Sequence, residues 1–451
     1  MRRQAPIVTY DEKKQQLAAQ LAGRNGGAPL ALAKDTSNLF RDREPALKRH
    51  LDVRHFNQVL RVDAAQGWIE AEGMTRYADL VDAALKHNVM PAVVPELKSI
   101  TLGGAVAGVG IEASSFKYGL VHETVQEIEI LLGDGRIVSA APDNEHSELF
   151  YGFPNSYGTL GYALKVKALA IPVKPYVALQ HVRHSDATAY FEDLAQHCAP
   201  DADFVDGTVF GPDEMYITIG RFCDDAPRVS DYTFEHIYYR SIRERREDWL
   251  TARDFIWRWD TDWFWCSKNL YVQTPLIRRL VGRNHLNSTT YTKVMRWNSK
   301  WGLMARLNRL RGLHTEAVIQ DVDIPIDRAA EFFDFFCREI GILPLWICPI
   351  HARRDDVRFD LYPMDADKLY VNFGFWDVVT KREPFPTGFH NRKIERKVAE
   401  LGGIKSLYSD SYYEPDEFWE NYNKPAYDAL KEKYDPGGAL QGLYDKCVLR
   451  R

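Results

Sequence analysis

A glycine-rich stretch between Pro91 and Gly119 holds the residues most able to do chemistry in this chain. Its glycines lie at 103, 104, 108, 110 and 119, with small residues among their neighbours. Backbone without side chains can approach a flat or anionic ligand closely, and successive N–H groups in such a turn can bind phosphates without a lysine. The stretch therefore predicts a nucleotide-type ligand held by backbone. A packed turn without a ligand is the alternative.

Two other phosphate motifs are excluded, and so is a zinc site. Gly108-Val109-Gly110 lacks the third glycine of a dinucleotide fingerprint, and no clear strand–helix–strand unit surrounds it. No Gly-Lys-Ser/Thr occurs, so there is no P-loop. The six cysteines include no Cys-x-x-Cys pair, which predicts reduced thiols and no metal.

Several short motifs are specific enough to compare with known families. In the glycine-rich stretch they are Val94-Pro95-Glu96-Leu97, Thr101-x-Gly103-Gly104, Gly108-x-Gly110-Ile111-Glu112, Ser114-Ser115 and Lys117-Tyr118-Gly119. Later segments follow at 127–138, 149–151, 158–161, 345–349, 407–412, 417–420 and 443–446. Together they resemble the FAD-binding (PCMH-type) vanillyl-alcohol-oxidase superfamily, and within it the Δ24-sterol reductases. The resemblance covers most of the chain.

This resemblance implies an α+β fold with a two-part PCMH-type FAD-binding domain and an α+β cap or substrate domain. We expect the FAD-binding domain at 1–176, the cap at 177–400, and a C-terminal helical segment at 401–451 that returns to the flavin domain. Local patterns agree with short strands in the first part, where Val59–Asp63 and Trp68–Glu72 predict a hairpin. A second hairpin is predicted around Gly133-Asp134-Gly135. From 177 onward the pattern predicts longer helical and aromatic-rich stretches.

The resemblance also implies non-covalent FAD, with NADPH as the electron donor. The loop Ala33 to Asn38 lies where the superfamily has its first phosphate-contacting loop, and it contains no histidine for covalent attachment. Phe116 stands where the sterol reductases usually have a histidine. The implied cofactor-binding residues are Lys34, Thr36, Ser37, Asn38, Pro95, Glu96, Leu97, Thr101, Gly103, Gly104, Gly108, Gly110, Ile111, Glu112, Ser114, Ser115, Lys117, Tyr118, Gly119, Gly158, Thr159 and Gly161.

Reducing an isolated alkene needs a hydride at one carbon and a proton at the other, so the protein must supply a positioned acid. The candidates for this role are Glu96, Tyr118, Tyr408, Asp410 and His351. Each also has an ordinary structural explanation. Glu96, for example, could hold its loop through backbone N–H groups.

A basic, tryptophan-rich segment at 249–311 is the second strong feature. Ten basic residues and no acidic one lie between Trp263 and Thr315, and seven of the eleven tryptophans lie between Trp249 and Trp301. Cations mixed with tryptophan suit a membrane–water interface, so this segment predicts contact with an anionic membrane. A solvated face over an aromatic core and a homo-oligomer contact are the alternatives.

Composition narrows the location and the function. The net charge of -5 and the absence of a recognised motif disfavour nucleic-acid binding. No spanning apolar run and no signal peptide are visible, which predicts a cytoplasmic protein that contacts the inner face of the membrane. The favoured function is NADPH-dependent reduction of a lipid C=C bond, in a sterol side chain or a methylene-branched acyl chain. The alternative is a soluble FAD-dependent oxidase or dehydrogenase of a phenolic, sugar or hydroxy-acid substrate.

Overall fold

The computed structural model describes residues 9–21, 28–36, 40–41, 47–301 and 311–451, without the side chains of 296–301. The strands are β1 (Leu30–Ala33), β2 (Arg49–Asp52), β3 (Val59–Asp63), β4 (Trp68–Glu72), β5 (Val89–Pro91), β6 (Val125–Leu131), β7 (Ile137–Ala140), β8 (Tyr162–Pro172), β9 (Tyr176–His184), β10 (Phe204–Gly211), β11 (Glu214–Cys223), β12 (Glu247–Thr251), β13 (His314–Pro325), β14 (Leu345–His351), β15 (Leu369–Lys381) and β16 (Ile404–Lys405).

One helix precedes the first strand, and the others lie between and after the strands. They are α1 (Tyr10–Leu21), α2 (Tyr77–Leu85), α3 (Leu102–Ala107), α4 (Ser115–Tyr118), α5 (Ser147–Gly152), α6 (Ala187–His197), α7 (Tyr238–Ser241), α8 (Ala252–Ile256), α9 (Pro275–Val281), α10 (Ser288–Trp301), α11 (Ala329–Glu339), α12 (Phe389–Glu400), α13 (Pro415–Asn421), α14 (Lys424–Tyr434) and α15 (Leu443–Cys447). None of these described helices is long and apolar enough to span a bilayer. The predicted α+β class is confirmed.

The first large sheet has the strand order β3-β4-β8-β6-β7, with β5 also paired to β8. Both hairpins predicted from turn chemistry are present, β3 with β4 and β6 with β7. The glycine-rich helix α3 packs against β8 of this sheet. A parallel pair, β1 with β2, lies outside the sheet.

The second large sheet contradicts the prediction of longer helices after residue 177. Eight antiparallel strands run in the order β12-β9-β11-β10-β14-β15-β13-β16. Strands such as β10 and β15 are buried on both faces over much of their length, so they lack the apolar–polar alternation that identifies a half-exposed strand. The predicted boundaries at 176/177 and 400/401 stay predictions.

The two faces of this second sheet have different chemistry. One face packs its apolar residues, such as Val322 and Phe373, against phenylalanines of α6 and α11. The opposite face carries the alternate residues of the same strands, among them Asp321, Trp346 and Trp376. These three line the principal cavity, so we call this side of the sheet the cavity face.

A buried ion pair holds the chain where it leaves the second sheet. Lys405 of β16 donates to Glu395 of α12 at 2.8 Å, and both side chains are 0% exposed. The same ammonium donates to the Asp410 carbonyl and to Ser411 Oγ. The C-terminal helices then contact the segment that precedes β8 of the first sheet, where Lys431 of α14 donates to the Thr159 carbonyl.

Removing one partner of this pair leaves an uncompensated buried charge. We expect Lys405→Met to lower the free energy of unfolding by about 3–5 kcal/mol, measured by urea denaturation. Lys433→Met is the matched control, because its pair with Glu148 is 53% and 49% exposed. That variant should lose less than about 1 kcal/mol. Equal losses in the two variants would contradict a structural role for the buried pair.

Candidate flavin and active site

A cavity of about 840 Å³ lies between the glycine-rich stretch and the cavity face of the second sheet. Its wall on one side is formed by residues of the stretch from Pro95 to Glu112, which includes four glycines. On the other side it is formed by side chains of β13, β14 and β15. A cavity of this size is within the range of small-molecule and cofactor sites.

The glycine-rich wall has room for a ligand. Thr101 caps α3 by accepting from the Gly104 N–H at 3.3 Å. Gly104 is exposed towards the cavity, and a Cβ built on it would meet only the Thr101 hydroxyl, at 2.8 Å. Gly110 differs, because its Cβ would lie 2.6 Å from Pro95 Cγ. A side chain at Gly104 would therefore enter the cavity and displace only the Thr101 hydroxyl, whereas one at Gly110 would displace packed carbon atoms.

The implied cofactor residues separate into three groups. Those that line the cavity are Lys34, Thr36, Pro95, Glu96, Leu97, Thr101, Gly103, Gly104, Gly108, Gly110, Ile111, Glu112, Gly158 and Gly161. Those that do not line it are Ser114, Ser115, Lys117, Tyr118, Gly119 and Thr159. Ser37 and Asn38 lie outside the described residues.

The second group has local structural contacts. Ser114 donates to the Ala92 carbonyl at 2.7 Å, and Lys117 pairs with Asp203 at 3.4 Å. Gly119 has φ +72°, and a Cβ on it would lie 2.5 Å from the Glu123 carboxylate. These residues shape the loop from behind the cavity wall.

Two cavity-lining residues have strained backbone. Val109 has φ 50° and Tyr157 has φ 49°, backbone angles that residues other than glycine rarely adopt. Such conformations cost about 1–3 kcal/mol each and cluster at ligand sites. A wall shaped to bind a ligand, and not only to pack, is expected to contain such strained residues.

One end of the cavity is basic. Its lining there includes Lys34, Arg41, Lys48, His50, Lys446 and Arg451. These residues come from the two ends of the sequence, and Lys48 donates to the Arg451 carbonyl at 3.1 Å. Sequence reasoning indicated Lys34 as a cofactor residue but not the other five, because the cluster joins segments from opposite ends of the sequence, with Lys48 and Arg451 403 positions apart. A basic end beside an open glycine wall fits a ligand with a pyrophosphate, as FAD has.

A buried ionic cluster lies at the cavity wall. Arg258 donates to Glu96 at 3.2 Å, to Glu112 at 2.7 Å and to Asp206 at 2.7 Å. Trp346 Nε1 also donates to Asp206. Sequence reasoning missed Arg258, although its place within the apolar run Phe255 to Trp259 is a signal that its charge is buried.

Three carboxyl groups thus share one guanidinium. Burial raises the pKa of Glu96 well above its ordinary value, and the neighbouring Glu112 adds to this. Burial also raises the pKa of Glu112, opposed by Arg258. Burial therefore favours the protonated forms of Glu96 and Glu112. Glu96, one of the predicted acids, lines the cavity with Glu112.

A second pair of carboxyl groups enters the cavity from β13, and sequence reasoning missed it. Asp321 and Asp323 are two residues apart, so both point to the cavity face. Tyr362 donates to Asp323 at 2.6 Å, and Asn372 donates to it at 2.7 Å. The available signal was two acids alternating with apolar residues in a strand pattern.

Aromatic rings form the remaining wall. Phe264 and Trp376 lie 4.3 Å apart between ring centroids, and Phe40 stacks on Trp263 at 6.0 Å. Tyr408, a predicted acid, also lines the cavity and accepts a hydrogen bond from Trp376 Nε1 at 2.8 Å. This part of the cavity is suited to an apolar, water-excluded substrate.

The other predicted acids lie elsewhere. His351 is exposed at the end of β14. Asp410 pairs with Arg450 at 3.4 Å, and Tyr118 is half-buried in α4. None of the three lines the described cavity. Their catalytic roles stay predictions.

The glycine wall gives a direct prediction. Gly104→Val places a side chain in the cavity, so we expect purified protein to lose bound FAD, measured by visible absorbance per protein. Gly437→Val is the matched control, since nothing lies within 4 Å of its Cβ. Circular dichroism should be unchanged in both variants. Full FAD occupancy in Gly104→Val would contradict this placement.

Comparison with known proteins gives the same cofactor class. Residues 8–141 match a family described as an FAD binding domain. The chain is 28% identical over 416 residues to a Delta(24)-sterol reductase of Homo sapiens, covering 88% of this chain and 78% of the relative. A Delta(24)-sterol reductase of Arabidopsis thaliana is 25% identical over 449 residues, covering 88% and 76%.

A more distant similarity is confined to part of the chain. Cytokinin dehydrogenase 7 of Oryza sativa subsp. japonica is 27% identical over 157 residues, covering 33% of this chain and 30% of the relative. The sterol reductases instead match over most of the length. The chain is therefore an FAD-binding oxidoreductase that is similar to Delta(24)-sterol reductases over most of its sequence.

Proposed function

We propose that this chain reduces an isolated C=C bond in a lipid, with non-covalent FAD as cofactor and NADPH as electron donor. The substrate is a sterol side chain or a methylene-branched fatty acyl chain. The observation that supports this best is the cavity itself. It joins a side-chain-poor wall and a basic end to an aromatic wall with acidic groups.

FAD, when bound, supplies the hydride chemistry. The residues of the chain then hold the alkene, exclude water and supply a proton. The Phe264, Trp346 and Trp376 rings offer an apolar surface for a hydrocarbon chain. The acidic groups beside them provide the proton, because a carboxyl group with a raised pKa keeps it near neutral pH.

The proposed reaction predicts a specific product. Purified protein supplied with NADPH and an alkenyl lipid under anaerobic conditions should yield the saturated lipid, which has gained two hydrogen atoms, measured by mass spectrometry. Gly104→Val should yield none. The alternative is a soluble FAD-dependent oxidase or dehydrogenase, and the partial similarity to a cytokinin dehydrogenase supports it. Peroxide formation in air from a phenolic, sugar or hydroxy-acid substrate, with no lipid reduced, would favour that alternative.

We further propose that the segment 249–311 contacts an anionic membrane. Tyr271, Leu276 and Leu280 are 73%, 70% and 79% exposed, and we call them the apolar ridge. Leu276 and Leu280 are four residues apart on α9, so they share a face. Met295 of α10 is 42% exposed and lines the cavity. The cavity therefore opens towards solvent in the same segment as the ridge.

One residue of the predicted cationic surface needs a correction. Arg278 is 3% exposed and pairs with Asp262 at 2.6 Å, so it holds α9 in place and does not face a membrane. Arg279 and Arg283 are exposed, paired with Glu235 and Asp231. The tryptophans at 297 and 301, and the cations at 296, 300, 306 and 309, lie outside the described side chains. The proposed membrane contact therefore depends more on the exposed apolar side chains of the ridge than on the basic residues.

The apolar ridge provides the test. The double variant Leu276→Ser/Leu280→Ser should lose at least tenfold in affinity for vesicles of phosphatidylglycerol and phosphatidylcholine, measured by co-sedimentation, because apolar area no longer enters the bilayer. Leu60→Ser on β3 is the control, since Leu60 is also exposed, at 37%. Equal binding of both variants and the unmodified protein would overturn membrane contact through the ridge.

A further inference from the structure

The position of Asp321 follows from the register of the second sheet. Asp321 of β13 lies opposite Gly374 of β15, which in turn lies opposite Trp346 of β14. A Cβ on Gly374 would lie 2.8 Å from Asp321 Oδ1 and 2.7 Å from the Trp376 ring. The missing side chain at Gly374 therefore makes the space that the carboxyl group and the indole occupy. Asp321, Trp346 and Trp376 all line the cavity.

The hydrogen bonding of Asp321 is incomplete. Trp376 Nε1 donates to the Tyr408 hydroxyl, and the Tyr408 hydroxyl interacts with the Asp321 carboxyl group, whose pKa it lowers against the effect of burial. The Oδ1 atom of Asp321 is buried and has no hydrogen-bond partner. A buried carboxyl oxygen without a partner is costly when it carries charge, so this geometry favours the neutral acid.

The charges around Asp321 act in the same direction. Burial raises the pKa of Asp321 to about 8, and the neighbouring Asp323 adds to this. The pKa of Asp323 is raised by burial to about 6, opposed by the hydrogen bonds from Tyr362 and Asn372. Near neutral pH, Asp323 therefore carries the negative charge and Asp321 the proton.

Within the described part of the chain, the titratable groups that interact with Asp321 are acidic or phenolic. They are Asp323 on the same strand, Tyr408, Tyr362 and Tyr157. No described lysine or arginine forms an ion pair with it. Glu96 differs in this respect, because Arg258 donates directly to its Oε1. Without a cation beside it, the charged form of the Asp321 carboxyl group is not stabilised by an opposite charge.

We propose that Asp321 is the proton donor in the reduction of the lipid alkene, an inference that rests on the proposed function. Reduced FAD, when bound, would supply a hydride with its two electrons to one alkene carbon, and the π bond of the alkene would break. The other carbon forms a C–H bond with the Asp321 proton, while the electron pair of the O–H bond stays on the carboxylate. Water returns a proton to Asp321 before the next turnover. Tyr408 and Trp376 position the carboxyl group.

The test separates this step from the reduction of the flavin. Asp321→Asn keeps the shape of the side chain but has no acidic proton. It should bind FAD and accept electrons from NADPH at the unmodified rate, while reducing the alkenyl lipid at least a hundredfold more slowly. In the unmodified protein, the lipid step should slow as the pH rises through about 8, and flavin reduction should not. Asp365→Asn, at an exposed pair with Lys368, is the matched control.

An infrared difference spectrum tests the same inference without turnover. At neutral pH the unmodified protein should show a carboxylic C=O band that is absent in Asp321→Asn. If no band is lost, or if Asp321→Asn reduces the lipid within twofold of the unmodified rate, the inference is overturned. Loss of the lipid step in Glu96→Gln but not in Asp321→Asn would overturn it in favour of Glu96. If the unmodified protein reduces no alkenyl lipid although the infrared band is present, the proposed function fails, and with it the assignment of Asp321.

Discussion

A close contact between backbone segments lies in the first half of the molecule, and the rest of the site depends on it. The Gly73 N–H donates to the Leu164 carbonyl at 2.7 Å, and the Gly103 N–H donates to the Gly73 carbonyl at 2.9 Å. A Cβ on Gly73 would lie 1.9 Å from the Ala163 carbonyl oxygen, and a Cβ on Gly103 would lie 2.9 Å from that of Gly73. Only glycine permits this approach. The contact anchors α3 against β8 and so leaves Gly104 facing the cavity.

The opposite wall of the cavity places carboxyl groups beside apolar side chains. Arg258 serves three carboxyl groups, and Asp323 relies on a phenol and an amide. In both places the positive charge is smaller than the number of acids, and burial then favours protonation. The aromatic rings strengthen this effect because they exclude water from the same space. Apolar binding and a retained proton are therefore consequences of one arrangement.

The parts of the fold that sequence reasoning predicted are those determined by local chemistry. The hairpin around Gly133-Asp134-Gly135 was readable because turn residues separate two short apolar runs. Most of the stretch from Pro95 to Glu112 lines the cavity, and sequence reasoning singled it out because glycines with small neighbours let backbone approach a ligand closely. The second sheet was missed because its strands are buried on both faces, so the period of two is hidden.

The parts that escaped prediction are assembled from distant residues. Arg258 and Glu96 are 162 positions apart, and Lys48 and Arg451 are 403 apart. Asp321 resembles any strand residue until Gly374 and Trp376 are placed beside it. Arg278 was assigned to a charged surface because its partner Asp262 lies outside the acid-free segment. The spacing of residues along the chain does not show that such residues are neighbours. For Asp321, Gly374 and Trp376, the register of the sheet does.

The central claim is that backbone from Gly103 to Gly110 lies along a bound flavin dinucleotide. Its most direct measurement is a crystal structure of the purified protein after incubation with FAD, with the released cofactor identified after denaturation. We predict FAD extended along that backbone, with its pyrophosphate towards the basic end, and complete release on denaturation. Colourless protein whose cavity contains no flavin after that incubation would contradict the account.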